Sequence, residues 1–404
     1  MSKKFEIKLN PDVSMIIDRF EKAGYEAYLV GGSLRDTLLG REAYDNDLTT
    51  SALPEQTLEL FSDLRTVPTG LKHGTVTLIT ESGLPIEVTT FRTDGTYSDS
   101  RHPDSVSFTR SLKEDLSRRD FTVNAMAYAP KKGLVDLFGG REDLSRGIIR
   151  CVGDPERRFS EDALRILRGF RFSAQLGFEI EKNTLKAAID TGPNLTKIAR
   201  ERISVELLKI LSSPKPSKVL TLMLPLMPII LPGIVLDPSR IPLCDNIPPE
   251  PIERLALLIH GGNCSAAATA LRLSNIQKKK LRLISEFSDH RLPSTPPEAR
   301  RLLSSFGDSP HLALTAVRVY SAISGRDLSK EERLVSAELG ASPCLTVSEL
   351  SITGEDLIKR GVAPGKQLGL ILSALLDAVI EDPSLNRKEV LLELSERIKY
   401  KNNL

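Results

Sequence analysis

The chain has 404 residues, 40% of them hydrophobic and 27% charged, which fits a soluble folded protein of two to four domains. Its 55 Lys+Arg against 53 Asp+Glu give a formal net charge of +2, excluding a basic-tail protein and an acidic disordered one. Four scattered cysteines (Cys151, Cys244, Cys264, Cys344) form no C-x-x-C pair, which argues against a disulfide framework or a structural zinc and favours a reducing cytoplasm.

Residues 1–12 contain no apolar h-region, so no secretory signal is expected. An apolar run over 25–30 ends at Gly31-Gly32, and 34–39 reads as helix. Two β-rich runs, 75–80 and 85–91, flank Glu81-Ser82-Gly83 and predict a hairpin. Residues 121–128 are a further apolar segment, and Gly139-Gly140 closes the region with a turn signal. From about 154 onward the β signal fades, and 159–176, 201–211, 266–283 and 368–380 carry helical apolar spacing. Residues 219–236 run for 18 positions without a charge, the threshold length for a membrane span. Pro225, Pro228, Pro232 and Gly233 interrupt that run, so short buried helices are expected and no membrane segment. The organisation is an α/β head of about 150 residues followed by an elongated helical remainder.

The densest chemistry lies at Gly31-Gly32-Ser33-Leu34-Arg35-Asp36 and Asp45-Asn46-Asp47. A strand that ends in glycines and opens a helix lets backbone N–H groups approach a phosphate, with Gly32 and Arg35 as candidate contacts. Asp45 and Asp47 alternate on an expected strand, which points both carboxylates to one face. Hard oxygen donors at that spacing suit Mg²⁺ bridging to substrate phosphates. Cradle plus metal is the equipment of in-line nucleotidyl transfer.

These residues resemble the first motif of the class II tRNA nucleotidyltransferases, which are CCA-adding enzymes related to bacterial poly(A) polymerases within the DNA polymerase β superfamily. In that superfamily a third carboxylate comes from a neighbouring strand, and Ile86-Glu87-Val88 fits the pattern. Arg118-Arg119-Asp120-Phe121-Thr122-Val123-Asn124 resembles the second motif. The resemblance implies that Arg119 contacts the incoming nucleotide while Asp120 and Asn124 hold its ribose. Glu161-Asp162-Ala163-Leu164-Arg165 resembles the third, in which Asp and Arg act as an amino-acid template. The i, i+3 spacing of Asp162 and Arg165 predicts one shared helix face. A carboxylate acceptor beside a guanidinium donor matches the edges of cytosine and adenine and opposes those of uracil and guanine. Arg168 and Arg171 continue the three-residue step, and the resemblance implies binding to the triphosphate. Residues 110–172 hold 14 Lys+Arg against 10 Asp+Glu, a local surplus of 4 where a polyphosphate would lie.

The fold class implied is α+β: a polymerase-β-like nucleotidyltransferase head with a mixed β-sheet, followed by a helical neck, body and tail. The expected boundaries are head 1–150, neck with the template helix 151–215, body 216–325, and tail 326–404. Residues 92–101 resemble the family's flexible loop, which argues against a CC-only enzyme and leaves A-only addition and polyadenylation as alternatives. A non-enzymatic protein with a dead head would have lost a metal carboxylate or the template pair, and all four are present. A small-molecule nucleotidyltransferase would not need the long helical remainder. The expected partners are CTP, ATP and the tRNA acceptor stem and elbow, with Lys278, Lys279 and Lys280 as candidate phosphate contacts. Neither a membrane nor an obligatory protein partner is expected, and the expected location is cytoplasmic.

Overall fold

The computed structural model describes residues 7–41, 46–95 and 106–401. Two compact units divide the chain, Met1–Leu231 and Pro232–Leu404. The expected boundaries at 150 and 215 both fall inside the first of these.

The first unit opens with the helix Pro11–Lys22, started by Asn10, whose side chain accepts from Asp12 N at 2.9 Å. Its Val13, Ile16, Ile17 and Phe20 recur at helical spacing and are buried. Full burial of each such side chain is worth roughly 1.5–3 kcal/mol. The chain then enters a seven-stranded mixed sheet ordered Arg65–Gly70, Thr75–Ile79, Pro85–Thr90, Asp47–Thr50, Ala27–Val30, Met126–Ala129, Gly133–Asp136. Ala27–Val30 is buried at all four positions, which explains why its sequence is apolar without alternation. The predicted hairpin is present, with Thr75–Ile79 antiparallel to Pro85–Thr90. Asp47–Thr50 runs parallel to Pro85–Thr90 in a register that sets Asp47 beside Glu87.

Two helices, Pro155–Glu161 and Leu164–Leu176, occupy the region read as one helical run over 159–176. Arg200–Leu211 agrees closely with the expected 201–211. The uncharged stretch becomes the short helix Ser217–Leu222, a 3₁₀ turn Leu224–Leu226 and the helix Met227–Ile230, as its prolines require. Among the described residues no helix is long and apolar enough to cross a membrane.

The second unit is helical. One core gathers Phe287, Leu303, Phe306, Ala316, Val317 and Val335; another gathers Leu357, Ile371, Leu375, Val379 and Leu391. The expected helix over 266–283 is two helices, Cys264–Ala270 and Asn275–Ser285. Arg272 adopts φ 50° between them, and Ser274 and Gln277 form a capping box that restarts the helix. Apolar periodicity survives such a break, so spacing alone does not reveal it. Of the three lysines singled out, Lys279 pairs with Asp308 at 3.2 Å and Lys280 with Glu253 at 3.0 Å.

Candidate active site

Where the strand Ala27–Val30 ends, the helix Gly31–Leu38 begins without a capping side chain. Its first-turn N–H groups are therefore left for another acceptor. Gly31 starts the helix at φ 69°, in the left-handed region where side chains are strained. A Cβ placed there would lie 3.5 Å from both Asp47 Oδ2 and Arg119 NH1. Glycine thus keeps open a point on which a carboxylate and a guanidinium converge. Asp47 N donates to Ser33 Oγ at 3.2 Å, pinning the start of the acidic strand to the first turn of that helix.

Asp120 and Asn124 stand on the tight turn around Thr122–Asn124. Asn124 Oδ1 accepts from Arg35 NH1 at 2.8 Å, and Asn124 Nδ2 donates to Asp120 Oδ1 at 3.2 Å. Arg168 Nε donates to Asp120 Oδ2 at 2.8 Å. Burial of Asp120 alone would raise its pKa. The charge and hydrogen bond of Arg168 and the Asn124 amide outweigh that, lowering it from 3.8 to about 2. A carboxylate so depressed adds stability that is fully present above its unfolded value and disappears as pH falls through about 2. Between pH 4 and pH 2 the wild-type protein is therefore expected to lose roughly 2 kcal/mol that an Asp120→Asn variant does not lose. Urea unfolding of both proteins across that range checks it; parallel pH curves would contradict the assignment.

Asp162 departs from the sequence expectation. It has extended backbone, φ −139° and ψ 104°, between two helices, so it does not share a helix face with Arg165. Its side chain stands at the break: Asp162 Oδ1 accepts from Leu164 N at 3.0 Å, in place of the Ser160 carbonyl that a continuous helix would offer that N–H. Asp162 Oδ2 lies 3.5 Å from Arg202 NH2. Arg165 is buried and donates to Glu161 Oε2 at 2.8 Å and to the Arg118 carbonyl at 3.2 Å. Asp162 and Arg165 nonetheless line one cavity.

That cavity measures about 520 Å³ and gathers Gly32, Arg35, Asp47, Arg119, Asp120, Asn124, Asp162, Arg165, Arg168 and Arg171. Asp45 lies outside the described residues, as does most of the 92–101 loop segment. Glu87, the candidate third carboxylate, is exposed and flanks Asp47 across the parallel strands. Among the described residues no group of three or more His, Cys, Asp or Glu side chains is arranged to hold a metal ion. Asp47 is a hard oxygen donor beside the helix opening, which suits Mg²⁺ better than a softer ion.

Sequence reasoning left out Ser33, Asp36, Arg118, Phe172 and Arg202 from the cavity wall. Ser33, Asp36 and Arg118 stood inside motifs already quoted, so neighbours within a motif were the available signal; Arg202 lay in the run 201–211, read for its helical spacing. Phe172 carried none: it matters because the guanidinium carbons of Arg35, Arg168 and Arg171 lie 5.1, 5.3 and 4.3 Å from its ring centroid. Each wall arginine also has a carboxylate partner: Asp36 for Arg35, Asp115 for Arg118 and Arg119, Glu161 for Arg165, Asp120 for Arg168, Glu206 for Arg171, and Asp162 for Arg202. The guanidiniums are therefore held in place before any anion arrives.

A glycine-opened helix end, a strand carboxylate and a row of fixed arginines on a mixed sheet define a nucleotidyltransferase head. The family models "Poly A polymerase head domain", "Probable RNA and SrmB- binding site of polymerase A" and "tRNA nucleotidyltransferase domain 2 putative" match residues 27–150, 177–235 and 270–395. A CCA-adding enzyme of Leuconostoc mesenteroides subsp. mesenteroides is 38% identical over 397 residues, covering 94% of each chain. One from Levilactobacillus brevis is 38% identical over 401 residues, covering 93% of this chain and 95% of that one. The crystal structure of the Bacillus stearothermophilus CCA-adding enzyme in complex with CTP is 34% identical, with a TM-score of 0.82 over 98% of this chain and 100% of that one. The chain belongs to the family of CCA-adding enzymes, which are template-independent RNA nucleotidyltransferases.

Proposed function

We propose that the chain adds C, C and A to the 3′ end of tRNA from CTP and ATP. The observation that carries this reading is the convergence of Asp47, Arg119, Asp120, Asn124, Asp162 and Arg165 on one arginine-lined cavity. Its volume of about 520 Å³ is in the range of small-molecule sites. Asp47, with Asp45, would hold Mg²⁺, which supplies charge neutralisation at the transferring phosphate and activation of the attacking hydroxyl. Everything else falls to the chain's own groups. Backbone N–H groups of the Gly31–Leu38 helix, with Arg119, Arg168 and Arg171, take the triphosphate. Asp120 accepts from a ribose hydroxyl and the Asn124 amide orients it, a pair that distinguishes a ribonucleotide. Asp162 Oδ2, held beside Arg202, accepts from an exocyclic amine while Arg165 donates to a ring nitrogen, which matches cytosine and adenine.

Residues 1–150 serve as catalytic head and 151–215 as neck, while 216–325 and 326–404 form a body and tail that grip tRNA by shape and phosphate contacts. The protein works in the cytoplasm. The test is incorporation of labelled CTP and ATP with Mg²⁺ into three transcripts: one ending at the discriminator base, one with a single added C, and one with both. Completion of all three and arrest after A is the expected result. Extension of the CC-ended transcript alone would make it an A-adding enzyme, and long A tracts a poly(A) polymerase.

A further inference from the structure

Asp115 is absent from the cavity wall yet ties two segments that build it, the strand Asp47–Thr50 and residues 118–119, to the strand Arg92–Asp94. It lies in the short helix Leu112–Ser117 and is fully buried. Its Oδ1 accepts from Arg118 Nε at 3.0 Å and NH2 at 2.8 Å, and from the backbone N–H of Arg92 at 3.4 Å. Its Oδ2 accepts from Arg119 NH2 at 3.3 Å and from Thr49 Oγ1 at 3.1 Å. Thr49 sits two positions after Asp47 on the strand Asp47–Thr50. Period-2 geometry therefore puts Thr49 and Asp47 on the same face.

A carboxylate buried this deeply is costly unless several donors meet it. Burial raises its pKa, and the charges of Arg119 and Arg118 more than offset that, so it stays ionised. The consequence reaches the reacting centre. Arg119 NH1 and Asp47 Oδ2 converge on the space beside Gly31, and among the described residues the buried Arg119 Nε has no hydrogen-bond partner. NH2 is thus tied to Asp115 while NH1 of the same group lies on the side of Gly31 and Asp47.

We infer that Asp115 is a positioning residue for nucleotidyl transfer: anchored to the Asp47 strand through Thr49, it fixes Arg119 at the place where phosphate meets the strand carboxylate. The inference rests on the proposed function and names a residue that the family motifs did not bring forward. Asp115→Asn keeps the shape but turns an NH₂ group toward one of its donors. Loss of a charge-assisted hydrogen bond of this kind is expected to lower kcat/KM for CTP about tenfold or more. The KM for tRNA stays unchanged.

A double-mutant cycle with Arg119→Ala separates positioning from general stability. In the Arg119→Ala background, adding Asp115→Asn is expected to cost about twofold or less, because the group it positions is gone. An equal loss in both backgrounds, or no loss in either, overturns the inference. Should Asp115→Asn fail to fold, Thr49→Val takes its place in the same cycle. Running the cycle on CTP dissociation constants keeps the two readings apart. Coupled CTP binding in a protein that never extends tRNA sinks the proposed function alone, whereas extension without coupling sinks the role of Asp115.

Discussion

Asp47→Ala is expected to lower incorporation of both CTP and ATP by about 10²–10³-fold, the scale of removing a preorganised electrostatic group at a reacting centre. Asp47 is half-buried at the first position of its strand, and its main chain keeps the ladder to Pro85–Thr90 whatever side chain it bears. The thermal midpoint is therefore expected to move little. Asp47→Asn preserves shape and removes charge, so an equal loss there would place the effect on the carboxylate's charge. Transfer at the wild-type rate in either variant would remove Asp47 from the metal site. Circular dichroism melts beside the incorporation assay separate a catalytic loss from a folding loss.

The second large effect is expected at Arg165. Arg165→Ala removes the guanidinium that would face the base while leaving its carboxylate neighbour satisfied, because Glu161 Oε2 also pairs with Arg158 NH1 at 2.7 Å. The fold should tolerate the change. A site that reads bases by hydrogen bonds can reject the wrong one by about 10⁴-fold, and without the donor that ratio should collapse to about 10–100-fold. Competition between CTP and UTP on the same tRNA transcript measures this. Unchanged selection with impaired tRNA binding would move Arg165 out of the base site and into the RNA-binding surface.

Much of the candidate site was legible because the residues that line its cavity stand in short motifs. Gly31-Gly32, Arg119-Asp120 and Asp162 through Arg171 all arrive at one cavity, although more than a hundred residues separate the first from the last. The α+β class was legible for a similar reason, since hairpin and helix signals differ in period. The helix breaks were not. In 159–176 apolar periodicity runs on across Asp162, while the decisive event is one side-chain oxygen capturing the Leu164 N–H. In 266–283 the break is a left-handed Arg272, a residue type with no preference for that conformation. The role of Asp115 was hidden for another reason. A buried carboxylate is recognised by the donors around it, and Thr49, Arg92 and Arg118 come together only in three dimensions.

The break at Asp162 also constrains how this site can change over evolutionary time. One oxygen of that carboxylate accepts from Leu164 N at the start of a helix and the other pairs with Arg202, a second residue of the cavity wall. On the proposed reading, most replacements would damage the backbone turn and the base-reading acceptor together. Asparagine differs: its carbonyl oxygen can still accept from Leu164 N, while its amide nitrogen replaces the acceptor that pairs with Arg202 by a donor. On that reading a single substitution would invert half of the base recognition while keeping the bond to Leu164 N, with loss of the Arg202 ion pair. A lineage drifting toward uracil or guanine would find its shortest path there.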